Sequence, residues 1–165
     1  MSRYTHEQED SESTGEAIGS ARFIDTADAS RFIWAGAAIV TLVSSKTGTR
    51  YTFRISRAKE SRRQGEVPPY FIGLLTGPDN NDGYTYMGLV PGARPERLIL
   101  TRASKYNDDT APVKAFRYLL GALKAGTFGL VEVWHEGRCG RCGRRLTVPE
   151  SLASGIGPVC VGLAA

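Results

Sequence analysis

Hydrophobic and polar positions alternate most regularly over residues 51–56, where Tyr51, Phe53 and Ile55 share one face and Thr52, Arg54 and Ser56 the other. A period of two marks a strand with one buried face. Residues 31–43, with Phe32, Trp34, Ile39, Thr41 and Val43, form a second β-rich run, and Ser45-Lys-Thr-Gly-Thr between the two supplies a glycine able to take positive φ. Together they predict a hairpin over 37–56. Further strands are predicted at 70–75 and 84–90, separated by Gly77-Pro-Asp-Asn-Asn-Asp-Gly83, which is turn chemistry throughout. Asp79, Asn80, Asn81 and Asp82 invite comparison with a calcium loop, but no glutamate follows at EF-hand spacing, so a plain turn is expected.

One helix stands out. Asp108-Asp-Thr-Ala-Pro112 offers capping side chains and an early proline, Val113, Phe116, Leu120 and Leu123 recur at helical spacing, and Gly126 can end the run. Lys114, Arg117 and Lys124 fall toward its outer side, and residues 130–134, Leu-Val-Glu-Val-Trp, read as one more strand. The expected fold class is α+β: a mainly antiparallel sheet with one packed helix. At 165 residues the chain can bury one core. It has no apolar run of membrane-spanning length, and its polar start lacks the apolar centre of a signal peptide, so a soluble protein in a reducing cytoplasm is expected.

Charge changes the picture. Residues 1–20 carry Glu7, Glu9, Asp10, Glu12 and Glu16 against Arg3, and read as a disordered acidic tail. Residues 21–165 hold 20 basic and 12 acidic side chains, a net of +8, which points to polyanionic partners. The basic residues gather twice, as Arg54, Arg57, Lys59, Arg62 and Arg63 and as Arg138, Arg141, Arg144 and Arg145. Guanidinium forks match phosphate oxygens, so both groups are candidate nucleic-acid contacts, although a solvated rim has the same composition. Tyr51, Phe53, Tyr84 and Tyr86 around Arg54 suggest a stacking platform, against the commoner role of alternating aromatics as core.

The second basic group surrounds the most specific chemistry in the chain. His135, Cys139, Cys142 and Cys160 follow one another as His-x3-Cys-x2-Cys-x17-Cys, the ligand order of a Cys3His structural zinc site. Two residues between Cys139 and Cys142 let one turn aim both sulfurs at one ion, and Pro158 suits the first position of a helix that would carry Cys160 in its first turn. His6, Glu136 or a water compete with His135 for the fourth position. A redox Cys-x-x-Cys usually opens a helix in a βαβ setting, which is lacking here, and a disulfide does not suit a reducing compartment. Zinc deaminases separate a His-x-Glu element from a distant Pro-Cys-x-x-Cys, a spacing this chain does not have, so the site reads as closed and structural and the protein as no enzyme.

The string Cys-Gly-Arg-Cys-Gly-Arg-Arg-Leu-Thr-Val-Pro-Glu-Ser, followed by Gly-Ile-Gly-Pro-Val-Cys, resembles a recurrent domain of unknown function found in bacteriophage and actinobacterial proteins. The resemblance covers residues 134–162, and Phe32-Ile-Trp-Ala-Gly, Lys46-Thr-Gly-Thr-Arg-Tyr-Thr-Phe and Leu75-Thr-Gly-Pro-Asp resemble the segment that often precedes it. It implies zinc held by His135, Cys139, Cys142 and Cys160 and a phage or prophage origin, but no activity. The expected organisation is an acidic tail (1–20), an α+β core (21–130) and a zinc-binding module with a treble-clef-like knuckle (131–165). The expected function is nucleic-acid binding, of DNA before RNA, in phage replication, recombination or host takeover. The alternative is a protein-interaction module that inhibits a host nucleic-acid machine or defence protein.

Overall fold

The computed structural model describes residues 21–79 and 81–163; the segment 1–20, expected to be a disordered tail, lies outside the described residues. Among them, the strands are β1 (Ala21–Arg22), β2 (Ala37–Ser44), β3 (Arg50–Arg57), β4 (Tyr70–Leu75), β5 (Tyr84–Val90) and β6 (Val131–His135). They form one sheet in the order β1-β6-β2-β3-β4-β5, with every pairing antiparallel. The β2–β3 hairpin turns at Gly48, whose φ is +72°, and pairs Val40 with Phe53 and Thr41 with Thr52. The β4–β5 connection is a turn closed by the Gly77 and Gly83 backbones at 2.9 Å.

The sequence reading placed Phe32 and Trp34 in an extended run; the structure instead forms a helix, α1 (Thr26–Ile33), and ends it at Trp34 before β2 begins. Asp25 caps it, its carboxylate accepting from the Ala27 N–H at 2.7 Å. Ala29, Phe32 and Ile33 then stand three and four residues apart on one buried face. The anticipated helix forms as α2 (Ala111–Ala125), with Pro112 in its first turn and Gly126 left-handed at its end. Two of its three outer cations are paired, Arg117 with Asp108 at 2.5 Å and Lys124 with Glu96 at 3.5 Å. Two short helices, α3 (Pro149–Ser154) and α4 (Pro158–Leu163), close the chain. Among the described residues no helix is long and apolar enough to cross a membrane.

The core lies on one side of the sheet. Val40, Phe53, Ile55, Ile72 and Val133 are buried there against Phe32 and Ile33 of α1 and Val113, Phe116 and Leu119 of α2, with the Phe53 and Phe116 rings 5.1 Å apart. The opposite side carries Trp134, Thr41, Thr52, Arg54, Tyr84 and Tyr86, all partly exposed, and an exposed Phe71. Strand parity thus divides the residues of β3: Tyr51 and Phe53 face the core, and only Arg54 and its alternates face the open side. Residues 131–135, counted from sequence with the zinc-binding module, are the second strand of the sheet, because β6 pairs with β1 and β2 on its two edges.

Candidate metal centre and the open sheet face

Beyond β6 the chain has too few large apolar residues to hold itself by burial, and local backbone bonds set its shape. Residues 138–145 make a narrow loop: Arg138 and Arg145 pair as an antiparallel bridge, Cys139 N–H donates to the Arg144 carbonyl at 2.8 Å, and Gly143 N–H donates back to the Cys139 carbonyl at 2.8 Å. The loop is docked by Ala37 N–H on the Gly140 carbonyl at 2.7 Å and by Gly140 N–H on the Gly155 carbonyl at 2.9 Å. Phe32 fills the space beneath it. A β-carbon at Gly140 would stand 2.7 Å from the Phe32 carbonyl, and one at Gly155 2.5 Å from its ring, so both positions require glycine for this approach.

This frame, with α4 carrying Cys160, gathers the three sulfurs of Cys139, Cys142 and Cys160 within 4.8 Å of one another. Thiolates bound at about 2.3 Å to a tetrahedral ion lie about 3.8 Å apart, so small side-chain movements suffice to hold a metal ion. Cys139 and Cys160 are buried and Cys142 is exposed. Arg141 and Gly157 N–H groups point at Cys139 Sγ, at 3.5 and 3.4 Å. Burial alone raises the Cys139 thiol, but the N–H groups of Gly157, Cys142 and Arg141 and the Cys142 side chain bring it down to about 7. Cys160 is pushed up to about 11 by desolvation and by its two sulfur neighbours. Three crowded thiols resist full ionisation on their own; a cation among them removes that penalty. The donor set therefore fits a metal.

His135 is not brought to the sulfurs. It is 2 % exposed on the core side of β6, packed against the Phe23 and Phe32 rings with centroids 5.1 and 5.3 Å away. Gly137 N–H donates to its Nδ1 at 3.0 Å, which leaves Nε2 as the protonated nitrogen, donating to the Leu152 carbonyl at 2.7 Å. Desolvation lowers its pKa, against a smaller pull upward from the Leu152 carbonyl and Glu136. Here the histidine ties β6 to α3, and of the four residues expected from spacing the structure brings together Cys139, Cys142 and Cys160. Strand parity accounts for its place: Val133 and His135 alternate inward together.

Pairing and exposure coexist among the basic residues. Arg63 faces Glu66 and Arg138 faces Glu136, each at 3.6 Å, and these two arginines are exposed, as are Arg57, Lys59, Arg62, Arg141, Arg144 and Arg145. The end of β3 and the cysteine loop are linked through the backbone, because Arg57 N–H binds the Gly36 carbonyl at 3.0 Å while the neighbouring Ala37 N–H binds the Gly140 carbonyl at 2.7 Å. Arg54 crosses β4 where Gly73 has no side chain: its guanidinium lies 4.3 Å from the Tyr84 ring centroid and donates to the Asn81 carbonyl at 3.0 Å. The Tyr84 hydroxyl is buried with no hydrogen-bond partner among the described residues, and desolvation, with Glu136 nearby, pushes it up to about 12. Phe71 and Tyr86 stand edge to face at 6.3 Å beside a groove of about 1140 Å³ that Arg62 and Arg102 also line. Phe71 and Gly73 escaped the sequence reading, since their importance depends on which strands become neighbours.

Residues 133–164 match a family of unknown function (DUF6011). That match covers the last three residues of β6, the cysteine loop and both short helices, the part of the chain in which the sulfurs converge. No curated protein and no solved structure matches the chain.

Proposed function

We propose that the chain is a zinc-stapled nucleic-acid-binding module of phage or prophage origin, in which the metal fixes a basic loop at the end of an open, aromatic sheet face. The observation that carries this reading is the exposure of Arg57, Lys59, Arg62, Arg141, Arg144 and Arg145, together with exposed Phe71 and its partner Tyr86 on a groove that Arg62 and Arg102 also line. Cationic side chains supply phosphate contacts that position a strand, and exposed rings supply faces on which bases stack. The cysteine cluster takes zinc in preference to harder divalent ions because its donors are thiolates. Of the polyanions, DNA is the first to test.

The reading is of a binding module, not an enzyme. No carboxylate or imidazole lines the cavity beside the cysteines, so among the described residues a metal-bound water there has no acid–base partner.

Anisotropy titrations of fluorescent single-stranded and duplex DNA and RNA over a range of salt test the proposal. Tight binding that falls steeply with salt is expected, and Arg144→Ala with Arg145→Ala should reduce the log–log salt slope by about 2. Phe71→Ala should cost about 1–3 kcal/mol with single strands and leave the salt slope unchanged. Absence of binding at low salt would turn the open face over to a protein partner, such as the host machine considered from sequence.

A further inference from the structure

Three sulfurs leave one corner of a tetrahedron to fill. Among the described residues no histidine, carboxylate or fourth cysteine joins the cluster, and both His135 nitrogens are engaged with backbone. The Arg141 and Gly157 backbone groups that point at Cys139 Sγ are N–H donors, which favour the thiolate and cannot themselves ligate a cation. The cluster opens into a cavity of about 430 Å³ lined by all three cysteines and by Arg144 and Arg145.

We infer, resting on the reading of the cluster as a zinc site, that the ion's fourth position faces this cavity and takes an exogenous small anion with an oxygen or nitrogen donor. Electrostatics decide what kind of ligand enters. Three thiolates exceed a divalent cation by one negative charge and by themselves favour a neutral ligand; the two guanidinium groups on the cavity wall reverse the local sign. The cavity is roomy enough for a ligand larger than water. The cysteine loop is then an anion-binding element in its own right, and its arginines act on whatever anion reaches the metal as well as on the surface beyond.

Cobalt(II)-loaded full-length protein reports both the metal and its fourth ligand, through thiolate-to-cobalt charge transfer and ligand-field bands respectively. Titration with azide, acetate and inorganic phosphate is expected to shift the ligand-field bands saturably for at least one of the three. The shift should persist in His6→Ala and His135→Gln, and the half-saturating concentration should rise about tenfold in Arg144→Ala with Arg145→Ala, the factor that about 1.4 kcal/mol of lost attraction produces. Bands that ignore all three anions would overturn the inference, as would loss of the wild-type spectrum in either histidine variant. Since His135 is a core residue, the wild-type titration alone decides if its variant does not fold. Absence of charge transfer altogether is a different failure: it removes the metal reading, and the inference with it.

Discussion

Chelation of the zinc-loaded protein is expected to unfold residues 137–163 while leaving the sheet standing. Those residues hold two helices of six residues each and one isolated bridge. Helices shorter than about 12 residues do not persist alone in water, so their order comes from docking and from the metal. The sheet, by contrast, carries its own core of Phe53, Ile55, Ile72, Val113, Phe116 and Leu119. Hydrogen exchange should therefore lose protection in the cysteine loop, α3 and α4 on removal of the ion and keep it in β2 to β5. Binding to the folded form alone contributes about 4 kcal/mol when free zinc is a thousand times its Kd, so the melting temperature of the loaded protein should fall with it. Cys139→Ser and Cys160→Ser should reproduce the loss in the presence of zinc. Unchanged protection of the loop after chelation would mean that backbone docking on Ala37 and Gly155 suffices.

The second large effect belongs to Phe32. This side chain is 1 % exposed and reaches from α1 to the underside of the cysteine loop, touching Phe23 and His135 and the space that Gly140 and Gly155 leave open. Phe32→Ala is expected to cost about 3–5 kcal/mol, the range for deleting a buried phenylalanine, and to weaken zinc binding because the cavity opens beneath two of the loop's anchoring points. Phe116→Ala removes an equally buried ring from the far side of the core, against Phe53. It should match the stability cost and leave zinc affinity nearly untouched. Calorimetric melting combined with competition against a zinc chelator separates the two; an equal loss of affinity in both variants would show that the loop senses only global stability.

Local signals made much of this architecture legible. Alternation at Tyr51 to Ser56 gave β3 its faces, Gly48 its turn, and Pro112 with Gly126 bounded α2, because each depends on residues within a few positions of one another. The start of the run 31–43 misled for an equally local reason: Phe32, Ile33 and Trp34 have strong strand propensity, and tertiary burial of Ala29, Phe32 and Ile33 on one helical face outweighed it. Cys-x2-Cys and the later Cys160 were readable as one site from ligand spacing. The role of His135 was not, since spacing counts residues along the chain whereas strand parity turned the ring into the core. The placement of Arg54 across Gly73 onto Tyr84 needs the pairing of β3 with β4 and β4 with β5, and no short window of sequence contains it.

The order of residues 137–163 and the chemistry of their cavity both depend on three sulfurs sharing one ion. Zinc K-edge X-ray absorption of the purified full-length protein tests that most directly. One zinc per chain with three sulfur neighbours at about 2.3 Å and a single lighter donor without imidazole scattering is the expected result. A zinc shell of oxygen and nitrogen alone, or protein that retains no zinc, would contradict it.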